Sequence, residues 1–169
     1  MSYSTVVSRD SARIILLAAA LNNLDILGCD VQNAFISADN LEKHYTVASD
    51  DFGEDKGKVY IVVRALYDLK SASAAFRSFM AKRLDEIGFK STSADPDVWM
   101  RPAVTKGGIE IYEYILCYVD DILAVAIDPR PILQSLEGGT IKFNDGKIES
   151  PEMYLGAKLK KKFIDDTEM

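Results

Sequence analysis

Asp120 and Asp121 stand side by side between two apolar, β-prone runs, Tyr114-Ile115-Leu116-Cys117-Tyr118-Val119 and Ile122-Leu123-Ala124-Val125-Ala126-Ile127. Each run has the length and the Ile, Val, Leu and Tyr content of a strand. A pair of Asp residues between such runs reads as the tip of a tight hairpin. Two like charges about 4 Å apart repel by roughly 4 kcal/mol at an effective dielectric of about 20. An apolar hairpin offers little water to offset that, so either one carboxylate takes up a proton or a cation sits there. The plainer alternative is a polar turn with both side chains in solvent. A third acid, Asp30, ends the short apolar run Leu24 to Asp30, after which Val31 to Ser37 turns away. Asp30 could equally cap that turn.

These acids need a scaffold, and the pattern of the chain supplies one. Asp10 or Ser11 caps a helix that runs to about Leu21 and stops at Asn22-Asn23; it is apolar nearly all round and is expected to be mostly buried. Glu42 to Ala48 and Val59 to Val63 read as strands around a polar loop. Ser71 or Ser73 opens an amphipathic helix whose stripe is Phe76, Phe79, Met80, Leu84 and Ile87, and Gly88 stops it. That stripe is core. Ala94-Asp95-Pro96 is a turn, and Val98 to Arg101 pairs with Ile109 to Tyr118 across Lys106-Gly107-Gly108. Pro129-Arg130-Pro131 opens a short helix to about Leu136, ended by Gly138-Gly139. Ile141 to Phe143 reads as a short strand and Tyr154 to Lys162 as a terminal one. Helices interleaved with hairpins predict an α+β fold, one antiparallel sheet backed by two helices.

The composition narrows the classes. A chain of 169 residues suits a single domain, 48% hydrophobic and 27% charged. The apolar run Ile14 to Leu21 is too short to cross a bilayer, so no membrane is expected. No basic leader precedes an apolar core at Met1-Ser2-Tyr3, so no secretory signal is expected. Cys29 and Cys117 read as buried thiols, and His44 lacks partners for a zinc site. A net charge of −6 argues mildly against a dedicated nucleic-acid binder. An acidic catalytic end is the tolerable exception. The run Lys158, Lys160, Lys161, Lys162 is either a solvated face or a phosphate contact.

Tyr118-Val119-Asp120-Asp121 within its apolar flanks resembles the catalytic hairpin of reverse transcriptases. Asp30-Val31-Gln32-Asn33-Ala34-Phe35 resembles their first polymerase motif, an acid at the end of a palm strand followed by an aromatic. Arg64-Ala65-Leu66-Tyr67-Asp68-Leu69-Lys70 resembles the Leu-Tyr-Gly-Leu-Lys signature of copia-type (Pseudoviridae-like) retrotransposon enzymes. Ala94-Asp95-Pro96 and Tyr154-Leu155-Gly156 match two further landmarks, and Thr5 to Arg9 resembles the approach to the first motif. The resemblance covers nearly the whole chain.

It implies a palm-like antiparallel sheet backed by helices, a ferredoxin- or RRM-like core. Residues 1–169 would form one core domain, palm with partial fingers: an irregular lead-in over 1–9, and N-terminal fingers, thumb and ribonuclease H absent. It implies an RNA-directed DNA polymerase that transfers a nucleotidyl group to a primer 3′-hydroxyl. The cofactors would be two Mg²⁺ ions, with Mn²⁺ a possible substitute, held by Asp30, Asp120 and Asp121. Phe35 would exclude a ribose 2′-hydroxyl. Val31, Lys70, Ser71, Tyr118 and Val119 would line the substrate, and Tyr154, Leu155 and Gly156 would meet the primer. The implied partners are an RNA or DNA template with primer, a dNTP and the remainder of a Pol polyprotein. The implied location is intracellular, in a cytoplasmic virus-like particle or the nucleus.

Two positions depart from the family pattern. Ser71-Ala72-Ser73 stands where Gln-Ser-Pro is usual, and Asp68 replaces the signature Gly. They favour the alternative, an inactive palm kept as a nucleic-acid-binding or structural module. A nucleotide cyclase on a related sheet lacks the Leu-Tyr-x-Leu-Lys and Tyr-Leu-Gly landmarks. The chain alone is expected to fold but to polymerise poorly.

Overall fold

A computed structural model describes residues 5–160. Its centre is a five-stranded sheet of β1 (Asp25–Asp30), β4 (Lys90–Ser91), β5 (Val98–Val104), β6 (Glu110–Tyr118) and β7 (Asp121–Ala126). The order is β1-β7-β6-β5-β4, antiparallel throughout. The expected α+β class holds, but both faces of the sheet are covered, and by three α-helices rather than two. The residues of β7 show why. Ile122, Ala124 and Ala126 point into one core with α2 (Ala72–Glu86) and α3 (Pro129–Leu136). Leu123 and Val125, one residue out of step, point into a second core with α1 (Arg9–Leu21). A strand buried on both faces needs an unbroken apolar run, and β7 has one. Each of these fully buried Ile or Leu side chains contributes about 1.5–3 kcal/mol.

α1 departs from expectation at its cap and its burial. Ser8, not Asp10 or Ser11, is the N-cap, its hydroxyl accepting from the Ser11 amide. Only Ala12, Ile15 and Ala19 are buried, while Ile14, Leu17 and Leu21 are 61–78% exposed. Small Ala side chains let the helix lie close on the sheet, so the larger residues face away. α2 matches its stripe: Phe76, Met80 and Leu84 are buried and Gly88 follows at φ 87°. Arg101 fixes its far end, donating to the Ile87 carbonyl at 2.8 Å and pairing with Glu113 at 2.8 Å.

β2 (Asp39–Val47) and β3 (Val59–Arg64) form a separate two-stranded sheet. The segment expected as a single terminal strand is instead a hairpin, β8 (Met153–Tyr154) and β9 (Ala157–Lys158), turning at Leu155-Gly156 with φ 49° and 77°. Two consecutive left-handed residues fold the chain back on itself. Lys161 and Lys162, of the expected basic run, lie outside the described residues. Ile141 to Phe143 makes isolated bridges, Gly138 with Ile141 and Val31 with Phe143, rather than a strand. Among the described residues no helix is long and apolar enough to cross a membrane.

Candidate active site

The β6–β7 connection is as short as a hairpin allows. Tyr118 pairs with Asp121, so Val119 and Asp120 alone make the turn. Val119 sits at φ 56°. A β-branched residue in the left-handed region is a backbone outlier, held at a cost on the order of 1–3 kcal/mol by the surrounding structure. The paired apolar strands supply that constraint, and such strain clusters at functional sites.

β1 lies against the other edge of β7, with Asp30 opposite Asp121. The Val31 amide donates to the Asp120 carbonyl at 2.8 Å, tying the end of β1 to the turn. Asp30, Asp120 and Asp121 thus gather at one end of the sheet, as the sequence predicts. Their electrostatics show it. Burial, then Asp30 and Asp120, push the Asp121 carboxyl up to about 6. Burial, then Asp120, raise Asp30, opposed by a hydrogen bond from the Asn144 side chain. Among the described residues no Lys or Arg forms an ion pair with any of the three.

Uncompensated carboxylates with only oxygen donors fit a hard divalent cation. Among the described residues no three His, Cys, Asp or Glu side chains converge tightly enough to hold a metal by themselves.

The surrounding candidates divide by burial. Phe35 is half-buried on a short 3₁₀ turn (Ala34–Ser37), its ring 4.6 Å from that of Tyr67 and 6.3 Å from that of Phe76. Lys70 and Tyr118 are exposed, and Val119 lies over a small cavity lined by Phe76, Arg77 and Asp97. Three expectations need correction. Val31 is 1% exposed, its side chain in the core beneath the sheet, so that side chain cannot line a substrate. Ser71 is 5% exposed and its hydroxyl is buried without a partner. It therefore does not present a side chain in place of the family's Gln. Tyr154 is 3% exposed inside the second core, its hydroxyl 3.5 Å from the Leu116 carbonyl. Its side chain supports the sheet and is not free to meet a primer. Asp68 adopts φ 72°, which explains why glycine suits that signature position.

Sequence reasoning missed Asn144 and the use of Ala94-Asp95-Pro96. That turn is a polar anchor. Asp95 accepts from the Ser8 amide at 2.9 Å and the Asp97 amide at 3.1 Å. Asp97 accepts from Arg77 Nε at 2.7 Å and from the Thr5 hydroxyl, and its carbonyl takes the Cys117 amide at 3.0 Å. The N-terminal segment, α2 and the end of β6 are joined there. Nothing in the local pattern marks Asp97 as the partner of Arg77.

The family model described as "Reverse transcriptase (RNA-dependent DNA polymerase)" matches residues 1–163. The chain is 32% identical over 165 residues to the Retrovirus-related Pol polyprotein from transposon TNT 1-94 of Nicotiana tabacum, covering 93% of this chain and 12% of that protein. It is 29% and 27% identical to the Pol polyproteins from transposons RE1 and RE2 of Arabidopsis thaliana, in each case over 162 residues, 95% of this chain and 11% of the relative. The chain thus spans about a tenth of the length of the curated relatives it matches. No solved structure matches. With the motifs in order along nearly the whole chain and their acids gathered at one sheet end, the chain belongs to the reverse transcriptase (RNA-dependent DNA polymerase) family.

Proposed function

We propose that this chain is the palm core of a copia-type RNA-directed DNA polymerase, working on a primed RNA or DNA template with a dNTP as part of a larger Pol polyprotein. One observation carries the reading: Asp30 lies in register with Asp121 while Asp120 occupies the adjoining two-residue turn, and no cation of the described protein offsets them. When bound, two Mg²⁺ ions, or Mn²⁺, supply activation of the primer 3′-hydroxyl and neutralisation of the leaving pyrophosphate. Asp30 and Asp120 would hold them, with Asp121 contributing to the site or shaping it. Phe35, backed by Tyr67, fills the space where a ribose 2′-hydroxyl goes. Val119 and Tyr118 carry the primer terminus, the Leu155-Gly156 turn steadies the primer behind it, and Lys70 faces the incoming triphosphate. The work is done inside the cell, in a cytoplasmic particle or the nucleus.

A second reading, an inactive palm serving as a nucleic-acid-binding or structural module, is favoured by Ser71, whose buried hydroxyl reaches no substrate. Primer extension with Mg²⁺ separates the two. The chain is tested alone and joined to the flanking polypeptide of a relative, each beside Asp120→Asn. Extension that Asp120→Asn abolishes supports the polymerase. Absence of extension from the joined protein favours the module, and extension unchanged by Asp120→Asn rules out the role given to Asp120. Labelled primer–template binding by the chain alone should be weak, because a chain of net charge −6 neutralises few phosphates.

A further inference from the structure

We propose that Asn144 is the positioning residue for Asp30, its side-chain amide holding Oδ1 so that Oδ2 is turned to a divalent cation. The proposal rests on the reading of the hairpin end as a nucleotidyl-transfer site. Asn144 donates from Nδ2 to Asp30 Oδ1 across 114 residues of sequence. The contact is prepared by backbone pairing on both sides of it. Phe143, buried in the core, bridges Val31, and the Gln32 amide donates to the Lys142 carbonyl at 2.8 Å. Glu149 and Gly28 exchange amide hydrogen bonds of 2.8 and 3.1 Å. The loop from Asn144 to Ile148 is therefore stapled at Gly28 on one side of Asp30 and at Val31 and Gln32 on the other. Within it, Asp145 at φ 54° and Gly146 at φ 62° make a tight turn, closed by Gly146 donating to the Phe143 carbonyl at 3.1 Å. Asn144 has little freedom to leave.

The residue type suits the task. An ionised carboxylate only accepts, so the amide NH₂ must be the group that meets it. A Lys or Arg here would fix Asp30 equally well but would cancel the charge that attracts the cation. A neutral donor orients the oxygen and leaves the charge in place. Partners of this kind typically alter metal affinity 10- to 100-fold when removed.

The test uses the full 169-residue chain, with free Mn²⁺ followed by electron paramagnetic resonance during titration. Wild type should bind saturably, Asp120→Asn should lose that binding, and Asn144→Ala should weaken it about tenfold. Asn144→Gln, which keeps the amide on a longer arm, should recover much of the loss. The two Asn144 variants should melt like wild type in EDTA, because Asn144 is exposed. Asn144→Ala binding as tightly as wild type, with Asp120→Asn still defective, overturns the proposal and leaves the site reading standing. Equal weakening by Ala and Gln also overturns it, since loop shape rather than the donated bond would then matter. Wild type that binds no Mn²⁺, or Asp120→Asn that binds normally, removes the site reading and the proposal with it.

Discussion

Two acidic clusters flank the end of β6, and the protein treats them in opposite ways. Asp95 and Asp97 are buried and fully served: Arg77, Thr5, Ser8 and Ser11 all turn donors toward them. Burial works against ionisation of Asp95, but the Ser11 hydroxyl and the Ser8 and Asp97 amides outweigh it and hold its carboxyl below the usual range. Among the described residues Asp30, Asp120 and Asp121 are left with one amide donor, and burial, then their mutual repulsion, raises Asp30 and Asp121. Carboxylates that the fold has satisfied hold it together. Carboxylates that it has left unsatisfied are available for chemistry, at a cost in stability.

The largest expected effect of breaking that contrast is on the satisfied side. Asp97→Ala removes one partner of an ion pair whose carboxylate is 3% exposed, and should cost roughly 3 kcal/mol by thermal denaturation. A change under about 1 kcal/mol, typical of a surface pair, would show that the cluster does not anchor the fold.

Phe35→Ala comes next. A fully buried Phe would lose about 3–5 kcal/mol, and this half-buried one should lose about 2. In a protein competent for extension, ribonucleotide incorporation should rise relative to deoxynucleotide. An unchanged ratio would make Phe35 core alone.

The smallest effect is the most discriminating, because its sign is opposite. In metal-free buffer Asp121→Asn should stabilise the chain at neutral pH by about 1 kcal/mol, the raised carboxyl being discounted for its partial exposure. The pH dependence sharpens this. The Asp121 carboxyl lies at about 6 when folded against 3.8 when free, so the folded chain keeps a proton that the unfolded chain has lost. Its contribution therefore makes stability fall as pH rises from about 4 to 6. Asp95 is lowered, so its contribution is present above 3.8 and is lost as pH falls through its folded value. Urea titrations across pH 3 to 7 on Asp121→Asn and Asp95→Asn should remove slopes of opposite sign. Slopes of the same sign would erase the distinction between the clusters.

The same contrast marks what was legible in the sequence. The β6–β7 hairpin and the α2 stripe were readable because short-range pattern decides them, β-branched runs on either side of an Asp pair and Phe and Met at helical spacing. The turn, however, falls at Val119-Asp120 rather than at the Asp pair, and Asp121 already opens β7. α1 was legible as a helix but not in its orientation. Ile14, Ile15, Leu16 and Leu17 are all apolar, and only the sheet opposite selects the Ala12, Ile15, Ala19 face. Tyr154 to Lys162 hid a turn because Leu155 gives no sign that it adopts a left-handed conformation. Asp95 could be placed in a turn but not assigned a purpose, since its donors come from Ser8 and Ser11 far upstream. Asn144 had no local signal at all: it meets Asp30 only through the pairing of Phe143 with Val31.

The most direct measurement is anomalous diffraction from crystals of the chain soaked in Mn²⁺ with a dNTP. The account predicts peaks at the β6–β7 turn between Asp30 and Asp120, two of them about 4 Å apart, and none at Asp95 and Asp97. No peak at the turn under saturating Mn²⁺, or a peak at the Asp95–Asp97 cluster instead, would contradict it.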